Sequence, residues 1–334
     1  MKKGLVLALL LIVPLAIFAG GGKESGAEKK LEMVFIPKST GNPYFDAIDA
    51  GFMEASKELG FNYTTVGPAT AEATSQIGII EAQIQRGVNV IGIYLNSVDA
   101  LSPVLSRARQ RGIVVLNLGT DSTSTNDRDA FLGATDMDLV GPNLIKIIAE
   151  QIGGQGDIAI VSGTTDSPDH NYWIAGMRKE LEKPEYARIK ILEVAYGNDD
   201  PQKSATEAEA LINKYPNLKG IISPTTVACA ATAQAISTMG VAGRVKMTGL
   251  GNPNEMRAYI KNGTVAKFGL WKPADMGYVG AYLATDILKN GYKVTAGDTR
   301  SFGNRGQRPI KDGGVIDAGT FLVFDKNNID DYNW

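Results

Sequence analysis

Beyond residue 30 the chain alternates short apolar runs with longer amphipathic segments. Met33 to Pro37 predicts a strand. Pro43 to Leu59 predicts a helix, because Phe45, Ile48, Phe52, Ala55 and Leu59 recur at three- and four-residue spacing. The alternation continues through strands at Phe61 to Val66, Val90 to Tyr94 and Ile113 to Leu118, with helices at Ala73 to Arg86 and Ala100 to Arg111. Gly60, Gly87 and Gly112 follow these helices, where a left-handed cap is needed. The pattern restarts with a short strand at Phe131 to Ala134. Strands are then expected at Asp157 to Val161, Ile189 to Ala195, Gly220 to Ser223, Val245 to Thr248 and Val265 to Leu270. Helices between and after them are expected at Leu139 to Gln151, Asn171 to Leu181, Thr206 to Lys214, Ala228 to Met239, Asn254 to Lys261 and Ala274 to Asn290. Repeated β-α units of this kind build parallel sheets covered by helices. The count predicts an α/β protein of two doubly wound parallel-sheet lobes. Ligands of such sheets bind beyond the carboxyl ends of the strands.

The first residues break the pattern. Lys2 and Lys3 precede an almost purely apolar stretch from Gly4 to Phe18, followed by Ala19 and three glycines. That layout predicts a secretory signal peptide over residues 1–19 and a flexible leader over residues 20–30. The expected location is periplasmic. Export lowers the prospects of an enzyme that depends on a nucleotide. Composition narrows the choice further. The 334 residues carry 34 Lys plus Arg against 36 Asp plus Glu, so no basic field exists to hold nucleic acid. One His and one Cys cannot build a zinc site or an intramolecular disulfide. No cofactor is expected. Gly249-Leu250-Gly251 follows a strand, but Asn254 stands where a dinucleotide fingerprint has its third glycine. Cys229 with His170 would be the one Cys–His pair, and neither lies in a catalytic motif. Asp166 or Asp169, with Asp121, is the pair an exported hydrolase would use.

The strand ends suit a neutral polyol. Sugar hydroxyls donate and accept, and amides, carboxylates and Lys engage them in pairs. Lys38, Asn42, Asn96, Asp121, Asp169, His170, Asn171 and Asn252 supply such groups, while Tyr44, Phe45, Trp173 and Trp271 supply flat apolar faces. Asn42 and Asn252 each precede a proline and read equally as helix caps. Phe45 and Trp173 read equally as core.

These residues resemble those of type I periplasmic sugar-binding proteins of ABC importers. The similarity runs from Leu31 to Trp334. It is carried by Phe35-Ile36-Pro37-Lys38-Ser39-Thr40-Gly41-Asn42-Pro43-Tyr44-Phe45 in the first strand and loop. Ser223-Pro224-Thr225-Thr226-Val227, Thr248 to Asn254, Phe268 to Asp275 and Val323 to Ile329 are similar to rhamnose-binding sequences. Autoinducer-2 binders are the sister subfamily. The resemblance departs at Gly119, where many sugar binders carry an acidic residue; Asp121 is the candidate substitute. Pro224, Thr225 and Thr226 stand where autoinducer-2 binders have Pro, Asp and Ala, and Asp169 with His170 stands where they have Asp-Gln.

The resemblance implies a non-enzymatic, monomeric protein that closes a three-crossing hinge on a monosaccharide, with a rhamnose-like deoxyhexose favoured over autoinducer-2. It implies crossings near Asp136, Leu270 and Ala296, giving an N-lobe of residues 31–136 plus 271–295 and a C-lobe of residues 137–270 plus 296–334. One side of the ligand would be held by Lys38, Asn42, Tyr44, Phe45 and Trp271, and the other by Asp169, His170, Pro224, Thr225 and Thr226. Partners implied are a membrane permease and a chemoreceptor. A sugar-responsive repressor of this architecture would need a DNA-reading headpiece in place of the signal peptide.

Overall fold

A computed structural model describes residues 30–334. The expected signal peptide at residues 1–19, and the leader up to residue 29, lie outside the described residues. Among the described residues no helix is long and apolar enough to cross a membrane.

The first half runs β1 (Glu32–Ile36), α1 (Pro43–Leu59), β2 (Asn62–Thr65), α2 (Ile77–Arg86), β3 (Val90–Ile93), α3 (Val98–Gln110), β4 (Val114–Leu118) and β5 (Ala130–Gly133). The second runs α4 (Val140–Ile152), β6 (Gly156–Ser162), α5 (Pro168–Glu180), β7 (Ile189–Tyr196), α6 (Pro201–Lys214), β8 (Gly220–Ser223), α7 (Thr226–Thr238), β9 (Lys246–Gly249), α8 (Pro253–Lys261) and β10 (Phe268–Leu270). The chain ends with α9 (Ala274–Asn290), β11 (Thr299–Ser301), β12 (Gln307–Pro309), β13 (Val315–Asp317) and β14 (Leu322–Phe324). Every pairing in the main sheets is parallel, in the orders β13-β5-β4-β3-β1-β2 and β7-β6-β8-β9. A bridge from Leu250 to Gly269 attaches the antiparallel pair β10-β14 to the edge of the second sheet.

Each sheet is apolar on both faces, as a parallel sheet must be when helices cover it twice. Alternate residues of β1 divide between two cores. Val34 and Ile36 pack with Ile80, Leu101 and Leu105 of α2 and α3. Met33 and Phe35 pack with Phe52 of α1 and Leu283 of α9. α1 shows how local sequence fixes an element. Asn42 caps it by accepting from the Tyr44 amide at 3.0 Å, Pro43 occupies its first turn, and Gly60 ends it in the left-handed conformation.

One short strand lies in a different sheet from the one the expected lobe boundaries gave it. β13 pairs with β5, so residues 315–317 belong to the first sheet. The third crossing therefore falls after Asp317, between β13 and β14, and not near Ala296. The segment Val315-Ile316-Asp317 carries too short an apolar pattern to announce this, and the loop before it lacks any helical period. The other two passages fall between β5 and α4 and between β10 and α9.

α9 returns to the first lobe and lies directly on α1. A Cβ at Gly51 would sit 1.9 Å from the Ala274 carbonyl oxygen, and one at Gly277 would sit 2.2 Å from the Ile48 carbonyl oxygen. The close approach needs both glycines. Gly51→Ala is accordingly expected to lower unfolding stability by about 1–3 kcal/mol through overpacking. Chemical denaturation checks this, and an unchanged midpoint would show that the two helices can separate freely.

Candidate functional site

The carboxyl ends of both sheets face one cavity of about 370 Å³, part of it open to solvent. From the first lobe come Lys38, Asn42, Tyr44, Phe45 and Tyr94; from the second come Asp169, His170, Trp173, Asp199, Pro224, Thr225, Thr226 and Leu250. Leu270 and Trp271 line it from the passage between β10 and α9. Eleven of the fifteen candidate ligand-binding residues singled out in the sequence thus meet at one place, counting Lys38, Asn42, Tyr44, Phe45, Asp169, His170, Trp173, Pro224, Thr225, Thr226 and Trp271.

A buried ion pair joins the lobes. Lys38 Nζ, beyond β1, donates to Asp169 Oδ1 at 2.7 Å and to Ser167 Oγ at 3.0 Å. Lys38 is 5% exposed and Asp169 6%. The Ser167 hydroxyl donates to the same carboxylate oxygen at 2.8 Å, and the Tyr94 hydroxyl donates to Oδ2 at 3.2 Å. Burial alone would push the Asp169 carboxyl up. The neighbouring Lys38 ammonium, the His170 ring and the hydrogen bonds from Lys38 and Ser167 prevail, and hold it well below the usual carboxylate range. Lys38 also lies 5.0 Å from the centre of the Tyr94 ring.

The loop carrying Lys38 is fixed from behind. Asn96 Nδ2 donates to the Lys38 carbonyl at 2.9 Å. Gln76 Nε2 donates to the Pro37 carbonyl at 2.8 Å and to the Tyr94 carbonyl at 2.7 Å, while its oxygen accepts from the Asn96 amide. Asn42 serves as a cap and also accepts from Thr226 Oγ1 across the cleft at 3.4 Å. The aromatic groups form a second framework. Trp271 Nε1 donates to the Tyr44 hydroxyl at 3.0 Å, Tyr44 and Phe45 meet Tyr94 edge to face, and Trp173 and Trp271 approach within 5.8 Å between ring centres. Burial pushes the Tyr44 and Tyr94 hydroxyls above their ordinary values, so both remain neutral donors.

Three expected site residues stand elsewhere. Asn96 is the support just described. Asp121 lies beside Arg128, whose Nη2 donates to it at 2.6 Å, and it faces a neighbouring cavity. Asn252 donates to Glu255 Oε2 at 2.6 Å within the first turn of α8. Asp121 does not substitute for an acidic group at residue 119. That place is filled by Tyr94: a Cβ on Gly119, whose φ is +67°, would fall 2.1–2.3 Å from three atoms of the Tyr94 side chain. Asp166 and Asn171 also stand outside the cavity lining; Asn171 donates to the Thr165 carbonyl instead. Cys229 packs against Met256 in the second core, and burial pushes its thiol up, which leaves it unreactive.

Tyr94 and Asp199 escaped the sequence reading. Tyr94 reads as the last apolar residue of a strand. Asp199 follows β7 in a left-handed conformation, with φ of 53°, that no motif announces. It accepts from Thr225 Oγ1 at 2.5 Å. The available signal was Asn198-Asp199-Asp200-Pro201 at a strand end, the same kind of polar loop that marked the other sites.

Two residues that line the cavity carry a buried nitrogen with no hydrogen-bond partner within the protein, His170 Nδ1 and Trp173 Nε1. Orphaned buried polar atoms are rare and costly, and these would be satisfied by a polar ligand. The arrangement offers a charged pair, amide and hydroxyl groups, and apolar walls, as a site for a small polar molecule does. Among the described residues no cluster of His, Cys, Asp and Glu is arranged to hold a metal.

The chain is similar to known proteins in sequence and fold. Residues 33–293 match the model of the periplasmic binding protein domain. A sugar ABC transporter protein of Actinomyces odontolyticus is 38% identical, with a TM-score of 0.75 over 91% of this chain and 98% of its own. An ABC transporter solute-binding protein of Clostridium phytofermentas, solved with bound L-rhamnose, is 30% identical, with a TM-score of 0.86 over 91% of this chain and 98% of its own. The D-ribose/D-allose-binding protein of Pseudomonas aeruginosa is 25% identical over 247 residues, covering 71% of this chain and 76% of that protein.

His170 is the sole histidine of the chain, which makes its state directly measurable. Burial pushes its imidazole below the ordinary 6.5, although Asp169 pulls the other way. An unfolded chain therefore takes up a proton near pH 6.5 that the folded chain refuses. Stability is expected to fall as pH drops below 6.5, and His170→Asn should remove that part of the slope. An imidazole resonance titrating at or above 6.5 in the folded protein would contradict the assignment.

Proposed function

The chain belongs to the family of periplasmic binding proteins, the solute-binding proteins of sugar ABC transporters, and on that premise we propose that it captures one monosaccharide between its lobes. The favoured ligand is a deoxyhexose of the rhamnose type. One observation carries the reading: the Lys38–Asp169 pair closes the cleft over a cavity of single-sugar size with aromatic walls.

Each group has a role in that reading. Lys38 and Asn42 from the first lobe, with Asp169, Asp199, Thr225 and the His170 ring from the second, meet ring hydroxyls that both donate and accept. Tyr44, Phe45, Trp173 and Trp271 pack on C–H faces of the ring. Leu250, Leu270 and Pro224 add apolar wall, which suits a methyl in place of a hydroxymethyl group. The rhamnose-bound relative supports this choice.

Binding then works by population shift. Sugar contacts both lobes at once in the closed form alone, so it draws the hinge shut. The closed form docks on a membrane permease after export through the N-terminal signal peptide. No bond of the sugar is made or broken.

The test is thermal unfolding against L-rhamnose, ribose, galactose, fucose, xylose and autoinducer-2. A ligand at about 100 times its Kd adds ~2.7 kcal/mol, a shift of several degrees. Rhamnose is expected to give that shift. Lys38→Met and Asp169→Asn should each weaken it by about 10–100-fold in Kd, the worth of one charged hydrogen bond. A shift with autoinducer-2 alone would transfer the chain to the sister subfamily. Turnover of a glycoside by the pure protein would replace the reading with an enzymatic one.

A further inference from the structure

A second cavity of about 620 Å³ adjoins the first, and Asp169 borders both. It too is built from both lobes. Gly119, Thr120 and Asp121 come from the segment after β4 and Phe131 from β5, while Pro168 and Tyr172 come from α5. Met137 closes it from the passage between lobes.

Its chemistry repeats that of the first cavity. Phe131 and Tyr172 offer two aromatic rings. Asp121 is half-buried and leaves carboxylate surface free beside its Arg128 partner. Thr120 is 97% buried by its 3% exposure, and its hydroxyl has no hydrogen-bond partner within the protein. Tyr172 is exposed at the rim, so the cavity opens to solvent there. Between the two spaces stand the Tyr94 ring, seated on Gly119, and the Asp169 carboxylate that Tyr94 contacts. Asp169 is the residue that the two linings share.

From this juxtaposition we infer that the protein accepts glycosides, with a terminal sugar in the first cavity and a second, glycosidically linked ring in the second. The inference rests on the monosaccharide reading above and extends its ligand class. Phe131 and Tyr172 pack on the second ring, and Thr120 and Asp121 meet its hydroxyls. The open rim lets a longer chain protrude.

Titration calorimetry of the full protein with L-rhamnose, a rhamnosyl disaccharide and p-nitrophenyl rhamnoside tests this. The disaccharide is expected to bind about tenfold tighter than rhamnose, as added aromatic packing allows. A gain for the disaccharide alone identifies a sugar ring as the occupant, and an equal gain for the nitrophenyl compound identifies any flat ring linked to the sugar. Thr120→Val and Tyr172→Ala should abolish the gain while leaving rhamnose affinity within twofold. A disaccharide that binds no tighter than rhamnose, or a gain that survives both variants, overturns the inference and leaves the monosaccharide reading standing. Absence of binding by all three compounds removes both.

Discussion

Lys38 and Asp169 are two opposite charges withdrawn from water at the meeting point of two lobes. Desolvation of such a pair consumes most of what their attraction returns, so the pair is a poor source of net stability. It is a strong source of geometry. Removing either partner leaves a buried charge with nothing to balance it. The loop after β1 and the first turn of α5 are therefore held to one relative position whenever the cleft is shut. Ser167 and Tyr94 complete the hydrogen bonding of the carboxylate, and Asn96 and Gln76 fix the backbone that presents the lysine.

The aromatic framework depends on the same closure. Trp271 belongs to a passage between lobes, Tyr44 to the first lobe and Trp173 to the second. Their contacts exclude water from the pair and strengthen each hydrogen bond within reach. The unpartnered nitrogens of His170 and Trp173 and the faces of the indoles are the groups the proposed sugar would meet. The perturbed ionisations within it follow from burial and pairing, which structural ion pairs also produce.

Much of this was legible from the residue pattern. Strand and helix periods located the elements from β1 to α9 to within a few residues, because parallel sheets force long apolar runs and amphipathic helices, while the four short strands after α9 went unseen. Lys38 and Asn42 stood out as polar residues just beyond a strand and Thr226 through the resemblance, and all three line the cavity. The failures have particular causes. Asn96, Asp121 and Asn252 share that position but turn to the Lys38 backbone, Arg128 and Glu255, and local partners cannot be read from type and place alone. Tyr94 was hidden because a buried tyrosine at a strand end looks like core. Only the space above Gly119 shows that its ring replaces a side chain there. Asp199 depends on a left-handed backbone that non-glycine residues seldom adopt. β13 joined the opposite lobe because three residues carry too little pattern to choose a sheet.

The direct test of the central claim is the shape of the protein in solution. Small-angle scattering should be recorded for the wild type and for Asp169→Asn, each with and without L-rhamnose. The account predicts that rhamnose contracts the radius of gyration of the wild type to that of the closed structure. It also predicts that the variant, lacking the charge that Lys38 meets, contracts only at higher sugar concentration. A radius unchanged by saturating rhamnose in a protein shown to bind it would contradict capture by closure, and an identical response from the variant would remove the ion pair from its central place.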